Sequence, residues 1–96
     1  MTGYKKIKVG DKFIEGFEMR LGSKNLILLK GNKGYCMCGY LDIAVAERFG
    51  DVAVRITGVS DIEEAINSTV SSCTTQAEKL GISAGQPIKD VLKIIA

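Results

Sequence analysis

Residues 30–42 read KGNKGYCMCGYLD, which sets Cys36 and Cys38 one residue apart between a turn of glycine and lysine and a helix-start signal at Asp42. Two thiols at that spacing suggest a disulfide, a metal site or a nucleophile. Residues i and i+2 of a strand share a face with Cα atoms roughly 6.6 Å apart, which is at the limit for a disulfide, so no internal bridge is expected. A structural zinc site wants about four Cys or His ligands. The chain has no histidine and only one further thiol, Cys73, so neither a metal nor a cofactor is expected. The missing imidazole also removes the base on which Ser-His and Cys-His mechanisms depend. A catalytic Cys38 would therefore need Lys30 or Lys33 as nearby positive charge, or the N-terminus of the helix opened by Asp42, whose own carboxylate opposes a thiolate beside it. Cys38 is still the thiol expected to act. It closes a strand with Gly39 beside it, and ligands of open α/β sheets gather at strand ends. Cys36 lies deeper in the strand, and Cys73 falls on the buried stripe of a helix. Lys30, Lys33, Gly34 and Gly39 are the matching candidates for binding a ligand or an anion. The segment lacks the spacing of a phosphate loop, and a hairpin turn with solvated lysines competes with that reading.

These residues need a framework, and the alternation of the first forty residues supplies one. Ile7 and Val9 alternate with Lys6 and Lys8, and Gly10-Asp11 makes a turn. Phe13, Phe17, Met19 and Leu21 then share one parity, which predicts a β-hairpin. Glu15 falls on the same apolar face, where an unpaired carboxylate is costly; either a lysine meets it or the face is partly wet. The unbroken run 26–29 predicts a central strand, followed by a turn into residues 35–38. Asp42 caps a short helix carrying Ile43, Ala46 and Phe49 and stopped by Gly50. Residues 51–57 alternate as another strand. Ser60 and Glu63 form a capping box that opens a long helix with an inner stripe of Ile62, Ala65 or Ile66, Thr69 or Val70, Cys73, Ala77 and Leu80. Pro87 begins a last helix with Ile88, Val91, Leu92 and Ile95 apolar. The expected fold is α+β: an N-terminal β-meander in a mostly antiparallel sheet, then helix, strand, helix and helix, in a layered α/β sandwich. The aromatic residues Tyr4, Phe13, Phe17, Tyr35, Tyr40 and Phe49 are assigned mainly to the core.

Ninety-six residues with 46% hydrophobic content close one core, so residues 1–96 are read as a single domain. No apolar run approaches the roughly 18 residues of a membrane span, and the N-terminus lacks a signal-peptide core, so a cytoplasmic protein with reduced thiols is expected. Net charge is +2, but the charges are unevenly spread: residues 1–34 carry eight Lys or Arg against three acids, and the remainder carries five against eight. A solvated face or a contact between subunits accounts for this more simply than nucleic acid does.

Read as a string, residues 29–34, 38–42 and 46–53 with Gly58-Val59 resemble the YunC-like family of uncharacterised bacterial and archaeal proteins (domain of unknown function 1805), most specifically in KGNKG leading into CGYL. The resemblance implies a small α/β domain whose N-terminal β region, here residues 1–34, is used for tetramerisation, and it implies no known activity. Phe13, Glu15, Phe17 and Met19 then become candidate interface residues. Three functions follow in order: a homo-oligomeric binding or scaffold module, a thiol-dependent enzyme or sulfur carrier using Cys38, and a weak nucleic-acid binder working through the basic N-terminal sheet.

Overall fold

The expected alternation builds a sheet laid down in chain order, and the computed structural model describes residues 2–96. Strands β1 (Thr2–Val9), β2 (Lys12–Leu21), β3 (Lys24–Lys30) and β4 (Tyr35–Met37) form the antiparallel meander. Helix α1 (Ile43–Phe49) crosses to β5 (Ala53–Arg55), which lies parallel to β4. Then come α2 (Ile62–Ile66), the short β6 (Ser72–Cys73) antiparallel to β5, α3 (Thr75–Lys79) and α4 (Ile88–Ile95). The result is an α+β domain with a six-stranded, mostly antiparallel sheet and four helices.

Register divides the sheet into two unlike faces. Ile14, Ile27, Leu29, Cys36 and Val54 share the inner parity and are buried with Ile62 and Ala65 of α2 and Ile88, Val91, Leu92 and Ile95 of α4. The opposite parity carries two apolar rows. One runs Tyr4, Phe17, Leu28, Met37 across four strands, and the next holds Met19 and Leu26. Phe13 and Met19 are each 47% exposed and Tyr4 57% exposed on this outer face. The parity of Phe13, Phe17 and Met19 is therefore the exposed side of β1 and β2, while the same parity is buried at Ala53 of β5, and Ile14 carries β2 into the core. Glu15 faces outward with them and accepts a hydrogen bond from the Tyr4 hydroxyl at 3.0 Å, which resolves the oddity of a carboxylate among apolar residues.

Three sequence expectations need correction. The long helix from Ser60 is broken: Asn67 ends α2, the hydroxyl-bearing and β-branched run 68–72 has poor helix propensity, and Thr74 caps a separate α3. The reciprocal cap sits one residue later than expected, with Asp61 accepting from the Glu64 amide at 2.8 Å and Glu64 accepting from the Ser60 amide at 2.7 Å. The aromatic residues are not the core. Phe49, the last residue of α1, is 75% exposed, and the buried cluster is aliphatic, with Cys36 and Cys38. Asp42 and Gly50 do bound α1 as expected, the first accepting from the Ala44 and Val45 amides and the second left-handed at φ 73°.

The glycines of the 30–34 turn have a packing role. A Cβ on Gly31 would run into the Ile95 carbonyl at the end of α4, and one on Gly34 would run into Val52. The turn is held by the Gly31 amide donating to the Gly34 carbonyl and by the Lys33 amide donating to Ile95, at 2.9 and 2.8 Å. Gly31→Ala is therefore expected to cost about 1–3 kcal/mol of stability through overpacking, and a domain of this size loses roughly 4–8 °C of Tm per kcal/mol. Thermal unfolding by circular dichroism measures it, and an unchanged Tm would contradict the packing.

Candidate functional site

Parallel pairing of β4 and β5 brings two loops together, because both strands end at the same edge of the sheet and each leads into a helix. Residues 38–42 leave β4 and residues 56–61 leave β5, facing the β2–β3 turn. The pairing extends past β4 itself: the Cys38 amide donates to the Ile27 carbonyl at 3.0 Å, and the Ile56 amide donates to the Met37 carbonyl at 2.8 Å. Between the three segments lies an open cleft of about 660 Å³. Its exposed margins carry Arg20, Lys24 and Tyr40, and Cys38 with the part-buried Asn25 forms its base. The carboxyl ends of adjacent parallel strands are where ligands of open α/β sheets bind.

Charge and hydrogen bonding give this cleft a definite character. Among the described residues no carboxylate lines it. Asp42, Asp61 and Glu64 are tied to backbone amides of their own caps, and Glu18, two residues from Arg20, accepts from the Ile62 amide at 3.1 Å. Arg20 Nε donates to the Gly22 carbonyl at 3.0 Å, which holds the guanidinium at the turn. Asn25 Nδ2 donates to the Ser60 carbonyl at 2.8 Å and so clamps the start of β3 to the β5–α2 loop. With that amide orientation fixed, Asn25 Oδ1 is buried with no partner among the described residues. Arg55 reaches the Gly39 carbonyl at 3.4 Å with one terminal nitrogen, while its Nε is buried and likewise unpartnered.

Of the residues singled out from sequence, Cys38 and Gly39 line the cleft, whereas Lys30, Lys33 and Gly34 stand at the other end of the sheet. Lys30 pairs with Tyr35, three residues before Cys38, or roughly 10 Å along the strand, and it has the outward parity while Cys36 points inward. The turn lysines therefore do not serve Cys38. Arg20, Lys24, Asn25 and Ser60 were missed. Their segments lie far from Cys38 in the chain, and only the β2–β3–β4 register and the Asn25 clamp bring them to it.

The three thiols are all free. Cys38 is 4% exposed, and its sulfur accepts from the Ile27 amide at 3.3 Å and faces the Asn25 carbonyl at 3.9 Å. Cys36 is fully buried, and burial pushes its thiol up to about 12. Cys73 lies on the edge strand β6, half-buried, and not on a helical stripe; burial, then Glu78 and Glu47, raise its thiol. On the folded protein Cys73 should alkylate first, with a rate still climbing above about pH 9, and Cys36 should stay unmodified until unfolding. Peptide mass spectrometry after timed alkylation reads this order, and modification of Cys36 ahead of Cys73 would contradict it. The same burial makes stability pH-dependent. The folded-state value of Cys36 lies above its ordinary 9.0, so its contribution is complete below that value and is lost as pH rises towards about 12. Tyr35 acts in the same direction from 10.0 to about 12, through burial and its 2.8 Å bond to Asp51. Cys36→Ala should accordingly flatten the alkaline fall in Tm.

Comparison with known proteins places this geometry among relatives. The sequence profile of a domain of unknown function (DUF1805) matches residues 37–95, from the end of β4 to the end of α4. The uncharacterised protein YunC of Bacillus subtilis is 33% identical over 78 residues, covering 77% of each chain. The crystal structure of a protein of unknown function from Thermoplasma acidophilum superposes with a TM-score of 0.96 at 33% identity, over 100% of this chain and 94% of the other.

Proposed function

We propose that the chain, which belongs to the DUF1805 family of uncharacterised proteins, is a self-assembling binding module. Its outer sheet face is buried against further copies of itself, and its cleft is left open to solvent. The observation that carries this reading is the outer face: Tyr4, Phe17, Leu28 and Met37 side by side, with Met19 and Leu26 in the next row. On this parity the burial is at β5, where Ala53 is fully buried and α1 and α3 make their contacts, whereas α2 meets β2 and β3 from the inner side. Contiguous apolar patches of this kind mark interaction surfaces. The neighbouring row reads Lys6, Glu15, Lys30 across three strands. Its alternating sign is self-complementary when a second copy docks offset by one strand, which favours a like partner over an unlike one. The edge of β1 is a poorer contact, because lysines guard it in the manner of edges that avoid pairing. A face-to-face dimer leaves room for a dimer of dimers, the tetramer that the family resemblance implies. Three unpaired thiols support a cytoplasmic location. Light scattering on the purified chain tests the assembly: a mass of two or four times 10.3 kDa is expected, and a monodisperse monomer at micromolar concentration rejects it.

A second reading draws on the same face. Exposed Tyr4 and Phe13 stand among Lys6 and Lys8, with Lys6 Nζ already 4.8 Å from the Phe13 ring centroid, and aromatic residues beside lysines are how sheets stack single-stranded nucleic acid. At a net charge of +2 such binding would be weak and salt-sensitive. It also competes with assembly, so an oligonucleotide that bound this face would lower the measured mass. A thiol-enzyme reading gains little from the geometry, because the Cys38 sulfur is nearly covered and engaged with the Ile27 amide.

A further inference from the structure

We propose that the cleft at the carboxyl ends of β4 and β5 is a binding site for a small oxyanion-bearing molecule, a phosphate or carboxylate compound, held by Arg20 and Lys24. This goes beyond the assembly reading, since the cleft is bounded by the β2–β3 turn and the two loops and does not depend on the outer face. Three independent observations converge on it. The first is position: β4 and β5 are the parallel pair of the sheet, and their two exit loops part to leave a crevice of about 660 Å³, within the range of small-molecule sites.

The second is charge. Arg20 and Lys24 stand on one margin, whereas Arg55 reaches only the Gly39 carbonyl from the parity of Met37 and does not line the cleft. Among the described residues the ion pair present is Lys5 with Glu63 at 3.7 Å, so neither margin cation is matched by a carboxylate. Cations gathered in a concave, partly water-excluded site focus a field that concentrates anions. Guanidinium with ammonium suits an oxyanion, the first as a planar fork and the second as a point charge. The short helices α1 and α2 play no part, because Asp42 and Asp61 already occupy their first amides.

The third is the state of the cleft wall. Asn25 Oδ1 and Arg55 Nε are both buried without a partner, and such atoms ordinarily find one in a folded protein. Both belong to side chains that brace loop peptides of the cleft, Ser60 and Gly39 respectively. Asn25 Oδ1 can only accept, so a hydroxyl of the ligand or a water it brings completes that acceptor, while the oxyanion itself is held by Arg20 and Lys24.

Amide chemical-shift titration of the native protein tests the site, with inorganic phosphate, succinate and sodium chloride as separate probes at matched ionic strength. Saturable shifts at Gly39, Tyr40, Gly58 and Ser60 are expected with phosphate or succinate and not with chloride, and whichever anion saturates first identifies the oxyanion chemistry. Arg20→Glu and Lys24→Glu, both at exposed positions, should each weaken that binding at least tenfold and leave the spectrum of the rest of the fold in place. Lys33→Glu, at the other end of the sheet, should change it less than twofold. Shifts that fail to saturate, that appear equally with chloride, or that respond to Lys33→Glu as strongly as to Arg20→Glu would overturn the proposal. The assembly reading stands or falls separately, by mass.

Discussion

Phe17→Asp is expected to sediment as a 10.3 kDa monomer under conditions where the unaltered chain runs as a multiple of that mass. Phe17 sits in the middle of the outer apolar row, with Tyr4 on one side, its ring centroid 5.2 Å away, and Leu28 on the other. In a symmetric contact one substitution places two carboxylates in the buried patch. Removing an ionised carboxylate from water without a partner costs several kcal/mol, which exceeds what a small interface can spare. The isolated fold should tolerate the change, because the side chain points away from the Ile14, Leu29 and Cys36 cluster. Circular dichroism should therefore match the parent while the mass falls. Lys6→Ala, in the flanking row, should shift the association constant only modestly, as charges at the rim of an interface do. If Phe17→Asp retains the parental mass, the outer face is not the contact.

That prediction also marks where the sequence was informative. Parity in β2 grouped Phe13, Glu15, Phe17 and Met19 on one face, and the awkward Glu15 suggested that this face was not a sealed core. Whether the helices would cover it depended on Ile14 and Ile27, whose burial is set by the packing of α2 and α4 and not by alternation. Asp42 and Gly50 were legible because caps act within one turn of chain. The interruption after Ile66 was hidden because Ile62, Ala65, Val70, Cys73 and Ala77 still fit a helical stripe, although they pack from two helices, a loop and an edge strand. For the cleft, Cys38 and Gly39 were placed from their position at a strand end, whereas Arg20 and Lys24 gave no local sign. Lys30 and Lys33 lie closer to Cys38 in sequence than Arg20 does, yet antiparallel register carries them to the opposite end.

Thr74 is the residue whose weight was least visible in the chain, and Thr74→Val is expected to produce the largest loss of stability. Its hydroxyl is fully buried. It donates to the Asp51 carbonyl at 2.7 Å and accepts from the Ala53 amide at 3.1 Å and the Ala77 amide at 3.3 Å. One oxygen thereby fixes the loop before β5, the first amide of β5 and the N-terminus of α3. Valine has nearly the same volume, so no cavity forms, and the effect isolates the hydroxyl. Two buried amide donors and a carbonyl lose their partner, at about 1–3 kcal/mol for each group left unsatisfied. Their sum, about 3–9 kcal/mol, is a large part of the roughly 5–15 kcal/mol by which a domain of this kind is stable. Tm should fall by on the order of 20 °C, measured at fixed protein concentration because the proposed assembly would also contribute to apparent stability. Thr74→Ser keeps the oxygen and loses one methyl, so it should recover most of the difference. Equal losses for valine and serine would mean that packing of the methyl, and not the three hydrogen bonds, holds α3 to the end of the sheet.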